Sequence, residues 1–267
     1  MFHQGSGRLQ LASAIADPAN PLTARVMANR IWQRHFGRGI VGTPDNFGRL
    51  GERPTHPELL DYLASRFVES GWSIKAIDRE ILLSATYRLS SRIEMSNYEK
   101  DPDGYLLWRF RPIQRLDAEA LRDSILAVAG KLEASAGGPP AELTDENHRR
   151  AVYATVNRTT PDPTLTLFDF PDPKASAAER SVTVGPLQRL YFLNDSFVIK
   201  QAEALAARLA AEAGDDAEER IARAYELLYS RPPSQAEIEA GSSFANENDW
   251  PRYAQALLAS SEFWTVQ

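Results

Sequence analysis

The sequence predicts a mainly α-helical fold, a multi-helix domain of two packed lobes with one small antiparallel β element. Apolar residues recur at three- and four-residue spacing through most of the chain, as in helices that bury one face. Several of these segments open with a helix-start signal, such as Asn20–Pro21 or Ser73. The clearest strand signal is 151–156, whose sequence AVYATV is rich in β-branched and aromatic residues. Helix following helix with so little strand favours a mainly α fold.

The N-terminal lobe is predicted to span residues 8–130. Asn20 is expected to cap a helix that a proline opens and that runs to about His35, since proline at the first helical position loses no needed N–H. Thr55 and Glu58 match the T-x-x-E capping box for a second helix. A third helix follows Ser73, and 116–129 has the apolar face of a fourth.

The middle of the chain, 131–185, is predicted to be irregular apart from the strand at 151–156, because glycine and proline cluster there. The C-terminal lobe is predicted to span 186–267. Its first helical stretch reaches Ala213 and is interrupted near Asn194–Ser196, where a polar side chain caps the second half. Three further helices are predicted at 217–229, 234–246 and 249–260. We treat 1–267 as a single domain built from these lobes.

Composition narrows the classes of function. The chain has 267 residues and a formal net charge of −6, which disfavours binding to nucleic acid. It has no cysteine, which excludes disulfides, thiolate metal ligands, cysteine nucleophiles and C-x-x-C-H haem attachment. No run approaches the ~20 apolar residues of a membrane span, and residues 1–15 lack a signal-peptide pattern. We therefore expect no membrane span, and either a cytoplasmic chain or a piece of a longer secreted protein.

The stretch 20–58 is the best candidate for a site. From Pro18 to Arg53 it holds six arginines against two acidic residues, a local balance of +4. Its glycine-rich loop formally matches G-x-G-x-x-G at 37–42, but the loop follows a helix rather than a strand, so a dinucleotide site is rejected. The candidate ligand-binding residues are Arg25, Asn29, Arg30, His35, Asp45 and His56.

One hypothesis for this stretch is an anion-recognising surface. Arg25 and Asn29 lie one helical turn apart and Arg30 flanks them. Guanidinium groups bind planar oxyanions through two parallel bonds, and loop glycines can turn backbone N–H groups toward an anion. The alternative is that the arginines pair with carboxylates of the same domain, for example Asp61 or Asp78, and thereby fix the loop.

The titratable residues of the stretch also suggest acid–base chemistry. His35 and His56, with Asp45 and Glu52, are candidates for such roles. A structural role is the alternative for each histidine, since His35 falls in the last turn of a helix, where the helix dipole favours a cation. No H-E-x-x-H or comparable spacing occurs, so neither a metal nor a cofactor is predicted.

From about Gly7 to the C-terminus the chain resembles one known family. The resemblance is carried by the segments NPLTARVMANRIWQRHFGRGIV, RPTHPELLDYLASRFVESGWSIKAI, SATYRLSS, LDAEALRDSIL, GPLQRLYFLNDSFV and LLASSEFW. They resemble the planctomycete cytochrome-c-associated C-terminal domain of unknown function (domain-of-unknown-function family 1553). The resemblance implies an upstream domain, often a c-type cytochrome module, and an exported protein in a periplasmic or extracytoplasmic location. It implies no catalytic residue, because none is established for the family.

Two functions of different class follow. The first is a binding or interaction module that acts with the upstream domain, with a c-type cytochrome module and an anionic ligand as possible further partners. The second is a hydrolase or carbohydrate-active enzyme with its site in residues 20–58. A deep pocket where His35, Asp45 and His56 converge would favour the enzyme, and a shallow surface would favour the module.

Overall fold

The computed structural model describes residues 5–108, 110–247 and 249–266. The described chain is mainly α-helical, with twelve α-helices and one two-stranded sheet among these residues. It divides into two compact units, one up to Gln114 and the other Arg115–Val266. The division falls before the helix at 118–128, which the sequence pattern placed in the N-terminal lobe.

The described part of the first unit contains five helices joined by loops of different length. They are α1 (Arg8–Ala16), α2 (Thr23–Phe36), α3 (Pro57–Glu69), α4 (Ile74–Leu83) and α5 (Met95–Tyr98). Helix α2 packs chiefly against α3, and both contact α4. Aromatic rings fill the space beside α2: Trp32 stacks on Phe36 at 4.1 Å, and Trp108 meets Phe36 edge-on at 4.8 Å. These rings therefore belong to a hydrophobic core.

The helix starts of this unit follow the local signals with small shifts. Ser73 caps α4 as predicted, its hydroxyl accepting from the Ala76 N–H. The capping box predicted at Thr55 is wrong: α3 starts one residue later than expected, and the Thr55 hydroxyl donates to the Ile40 carbonyl instead. Asn20 does not cap α2 but accepts from the Leu22 N–H in a turn that precedes the helix.

The described part of the second unit contains seven α-helices and a short 3-10 helix. Its α-helices are α6 (Ala118–Val128), α7 (Pro163–Leu167), α8 (Pro186–Asn194), α9 (Ser196–Ala213), α10 (Ala217–Tyr229), α11 (Gln235–Glu247) and α12 (Trp250–Leu258). The long α9 is central and packs most extensively on α12. The break between α8 and α9 lies where the sequence predicted it, with the Asp195 carboxylate accepting from the Phe197 N–H.

The β element lies elsewhere than predicted. The sheet pairs β1 (Gln114–Arg115) with β2 (Thr265–Val266), next to a hydrogen bond from the Leu116 N–H to the Trp264 carbonyl of 2.8 Å. The predicted strand at 151–156 is wrong, because Ala151–Tyr153 forms the 3-10 helix and Ala154 makes only an isolated bridge. The Ala151 N–H is taken by the Asp123 carboxylate at 2.7 Å, and this contact with α6 removes the first donor of a ladder.

Candidate functional site

The loop after α2, residues 37–56, is held against the helix by one buried side chain. Asn29 is fully buried; its amide donates to the Val41 carbonyl at 3.1 Å, and its side-chain oxygen accepts from the Val41 N–H at 2.8 Å. The pair of bonds copies the pairing that a neighbouring strand would supply. Ile40 and Val41 are buried beside it. A Cβ on Gly39 would lie 2.6 Å from the Asn29 amide nitrogen, so a larger residue would displace this contact.

The candidate arginines Arg25 and Arg30 are paired within the first unit. Arg25 donates to the Asp61 carboxylate at 2.7 Å and to the Pro21 carbonyl at 2.6 Å. The hydrogen bond between Arg25 and Asp61 raises the pKa of Arg25 and lowers the pKa of Asp61. Arg30 reaches Asp45 at 3.3 Å on the surface. The contact between Arg25 and Asp61 is one that the structural alternative for this stretch named.

The two histidines have separate partners. His35 lies in the last turn of α2, and its Nε2 is 2.9 Å from the Asp78 carboxylate on α4. The Tyr87 ring lies edge-on to the His35 ring. The Nδ1 of His56 is 3.0 Å from the hydroxyl of the adjacent Thr55. His35, Asp45 and His56 therefore bind different groups, and among the described residues no hydrogen bond joins any two of the three.

Arg38 and Glu52, the other charged pair across this loop, are 3.2 Å apart. Gly42 lies against them, since a Cβ there would approach the Glu52 carboxylate closely. The loop is thus spanned by ion pairs at its rim and by the Asn29 contact in its interior. This arrangement orders the loop on the surface of α2 and gives the Glu52 carboxylate an arginine as its partner.

In the second unit, a buried polar network joins β1 to the irregular segment between α7 and α8. The Arg115 side chain is almost fully buried and donates to the Asp169 carboxylate at 2.7 Å. Burial lowers the pKa of Arg115. Asp169 also accepts from the N–H and the hydroxyl of Thr183, and the buried Gln188 donates to the Thr183 hydroxyl at 3.2 Å. The network fixes the approach to α8 and the orientation of its inner face.

The outer face of α8 is apolar. Gln188 and Phe192 point inward, whereas three leucines of the same helix remain exposed: Leu187 by 68%, Leu190 by 49% and Leu193 by 55%. Residues three apart on a helix are neighbours, so the three leucines form a continuous stripe. Val182 and Val184, just before the helix, are also exposed. We call the surface formed by Val182, Val184, Leu187, Leu190 and Leu193 the α8 surface.

The second unit contains several cavities. Four cavities are lined by described residues between Lys131 and Pro232, and none of these four is lined by residues 20–58. One of them, of about 270 Å³, lies in the irregular segment 155–174. Among the residues that the structure describes, no cluster of three His, Asp or Glu side chains is arranged to hold a metal ion. No described helix combines the length and apolarity needed to cross a membrane.

The sequence analysis did not predict the α8 surface or the 155–174 cavity. Apolar residues fall on both faces of α8, so periodicity alone does not separate the buried Phe192 from the exposed Leu190. The cavity had one visible signal, the repeated tripeptide Pro-Asp-Pro at 161–163 and 171–173. Such a repeat marks rigid turns and carries no information about what they enclose.

Comparison with known proteins places the chain in a family. No curated protein and no solved structure matches it. The model of one family, described as PSD1: Protein of unknown function (DUF1553), matches residues 7–245. That range takes in both units up to α11 and includes the α2 loop, the cavity and the α8 surface. The chain therefore belongs to the PSD1 family of proteins of unknown function (DUF1553).

Proposed function

We propose that this chain is an interaction module that binds a partner domain through the α8 surface. The observation that carries the proposal is the leucine stripe, in which neighbouring side chains are each about half exposed or more. Single exposed leucines are ordinary on protein surfaces. A contiguous apolar stripe on a rigid helix is typical of a surface that another protein covers.

The chemistry of the surface indicates what kind of partner fits. Arg189 lies on the same outer side and shares a helix face with Leu193, four residues on. Among the described residues Arg189 has no ion pair. A partner with an apolar groove and a carboxylate at its edge would match both the leucines and this guanidinium.

The partner we propose is the upstream domain that the family resemblance implies. The same resemblance supports an exported protein, in a periplasmic or extracytoplasmic location, with a c-type cytochrome module as a further partner. The contacts of the α2 loop support a module over an enzyme at residues 20–58, since its candidate acid–base groups bind separate partners.

The test is the affinity of the chain for its upstream domain, measured by isothermal titration calorimetry. Burying a leucine side chain fully contributes about 1.5–3 kcal/mol. Leu187 and Leu190, exposed by 68% and 49%, together offer about the exposed surface of one leucine, so replacing both by glutamine should weaken binding roughly 10- to 100-fold. Both side chains are exposed, so the fold should not change. Leu50→Gln is the matched control, because Leu50 is 93% exposed but lies on the α2 loop.

Two results would contradict the proposal. One is weaker binding in Leu50→Gln with wild-type affinity in the α8 variant, which would return the interface to residues 20–58. The other is self-association of the chain, seen by sedimentation and abolished by the α8 substitutions, which would make a second copy the partner.

A further inference from the structure

The cavity in segment 155–174 has apolar walls held in place by rigid turns. Its walls are formed by Val156, Leu165, Phe170 and the prolines at 161, 171 and 173. Leu165 is buried and anchors α7 in the core of the second unit. At about 270 Å³ the cavity suits a ligand smaller than a typical drug molecule.

The Phe170 side chain, one wall of the cavity, contacts a neighbouring arginine, Arg180. The Arg180 guanidinium lies 5.3 Å from the centre of the Phe170 ring. Both of its terminal nitrogens donate to the Glu119 carboxylate, at 2.6 and 2.7 Å, in a two-pronged ion pair. The ring therefore keeps its orientation without a ligand, so a ligand would meet a wall already in place.

Two aspartates, each from a Pro-Asp-Pro turn, are among the residues that line the same cavity. Asp162 accepts from the Leu165 N–H at 2.9 Å through Oδ1, and Asp172 accepts from the Lys174 N–H at 2.9 Å through Oδ1. Neither carboxylate has a hydrogen bond through Oδ2 among the described residues, and neither has a described cation within 4.0 Å. Each Asp is thus oriented by its backbone contact while one oxygen stays available.

We propose that this cavity binds a small organic cation, an amine with an apolar body. The body would contact Leu165, Phe170 and the prolines, and the ammonium group would donate to Asp162 and Asp172. An anion would meet two carboxylates and the single cation Lys174, so the charge of the lining disfavours it. This activity is separate from docking at the α8 surface and goes beyond the proposed function.

The experiment uses the intact chain and three probes of one shape: benzylammonium, benzyl alcohol and benzoate. Binding is followed by amide chemical shifts in nuclear magnetic resonance. Benzylammonium should shift amides of residues 155–174 in a saturable way, and the neutral and anionic probes should bind at least about tenfold more weakly. Raising the salt concentration should weaken the benzylammonium interaction.

Matched variants separate charge from shape. Asp162→Asn and Asp172→Asn keep a side-chain acceptor for the backbone contact, since asparagine caps as well as aspartate. Each should weaken benzylammonium binding several-fold and leave benzyl alcohol binding unchanged. Asp103→Asn, which removes the same charge from the first unit, should change neither.

Equal binding of the three probes would overturn the proposal, because it would show an apolar cavity without charge selection. So would the absence of benzylammonium shifts at residues 155–174 up to about 10 mM probe, a concentration above which binding is too weak to be selective. An effect of Asp103→Asn as large as that of Asp162→Asn would show that only net charge matters, and would also overturn it.

Discussion

Asn29 decides whether the α2 loop is a structural feature or a ligand site. In Asn29→Ala both hydrogen bonds to Val41 are lost, and the backbone N–H and C=O of the buried Val41 are left without these partners. Leaving one buried polar group unsatisfied costs about 1–3 kcal/mol. Two such groups would cost about 2–6 kcal/mol together. We expect the free energy of unfolding of the first unit to fall by about 2–4 kcal/mol, because water that enters the vacated space can bond to these groups and reduce the loss.

The assay is amide hydrogen exchange at Val41 together with urea denaturation. The Val41 amide, which donates to Asn29 at 2.8 Å, should lose its protection in the variant. Asn46→Ala is the matched control, because Asn46 lies in the same loop and its side-chain oxygen accepts a local hydrogen bond from the Gly48 N–H. A Val41 amide as slow as in the wild type, with stability changed by less than about 0.5 kcal/mol, would refute the structural reading of Asn29.

Three further predictions concern charges and caps. Arg25→Ala should cost about 0.2–1 kcal/mol at neutral pH, as for other exposed pairs. The part of this loss that comes from the pair with Asp61 should vanish as pH falls through the depressed pKa of Asp61, because protonated Asp61 no longer pairs with Arg25, while the bond to the Pro21 carbonyl remains; a loss as large in acid as at neutral pH would contradict the pairing. Two hydrogen bonds from Arg231 lower the pKa of Glu237 to about 2. The stability that ionised Glu237 contributes is therefore present above its ordinary pKa of 4.5 and is lost as pH falls toward 2. In a pH series of melting curves, Glu237→Gln should lack this part of the acid sensitivity, and a series identical to that of the wild type would refute the prediction. Asp195→Ala should cost about 0.5–2 kcal/mol and Asp195→Asn far less, measured by urea denaturation, because only the first removes the cap of α9.

The parts of the fold that depend on local chemistry could be predicted from the sequence. The Ser73 cap and the break at Asp195 follow from side chains that bond to amides two or three residues away. The strand at 151–156 failed for the opposite reason. Its first amide is taken by Asp123, 28 residues earlier in the chain, and no periodicity within the segment could reveal that partner.

For the candidate site, the sequence predicted where charged side chains cluster but not which partners they bind. The sequence identified Arg25, Asn29 and His35 as side chains of interest and named Asp61 and Asp78 among possible internal partners. The structure supplies the partners: Asp61 for Arg25, Val41 for Asn29 and Asp78 for His35. Which of several acidic residues a given arginine meets depends on helix packing, here α2 against α3 and α4, and that is beyond a one-dimensional pattern.

The α8 surface shows a further limit of sequence patterns. Leucine is a residue type that is usually buried, so the sequence does not mark the leucines of α8 as exposed. Only the packing of Gln188 and Phe192 shows which side of the helix faces inward. Buried Gln188 is fixed by the Leu167 carbonyl and Thr183, which lie five to 21 residues away. A polar residue therefore faces the interior while leucines face the solvent, an inversion that hydrophobic periodicity cannot anticipate.

The most direct test of the central claim is hydrogen–deuterium exchange of the chain with and without its upstream domain. If the α8 surface is the interface, exchange should slow in residues 181–194 on addition of the partner and stay unchanged in residues 37–56. Slower exchange at residues 37–56 with no change at 181–194 would contradict the account and return the interface to the arginine-rich loop.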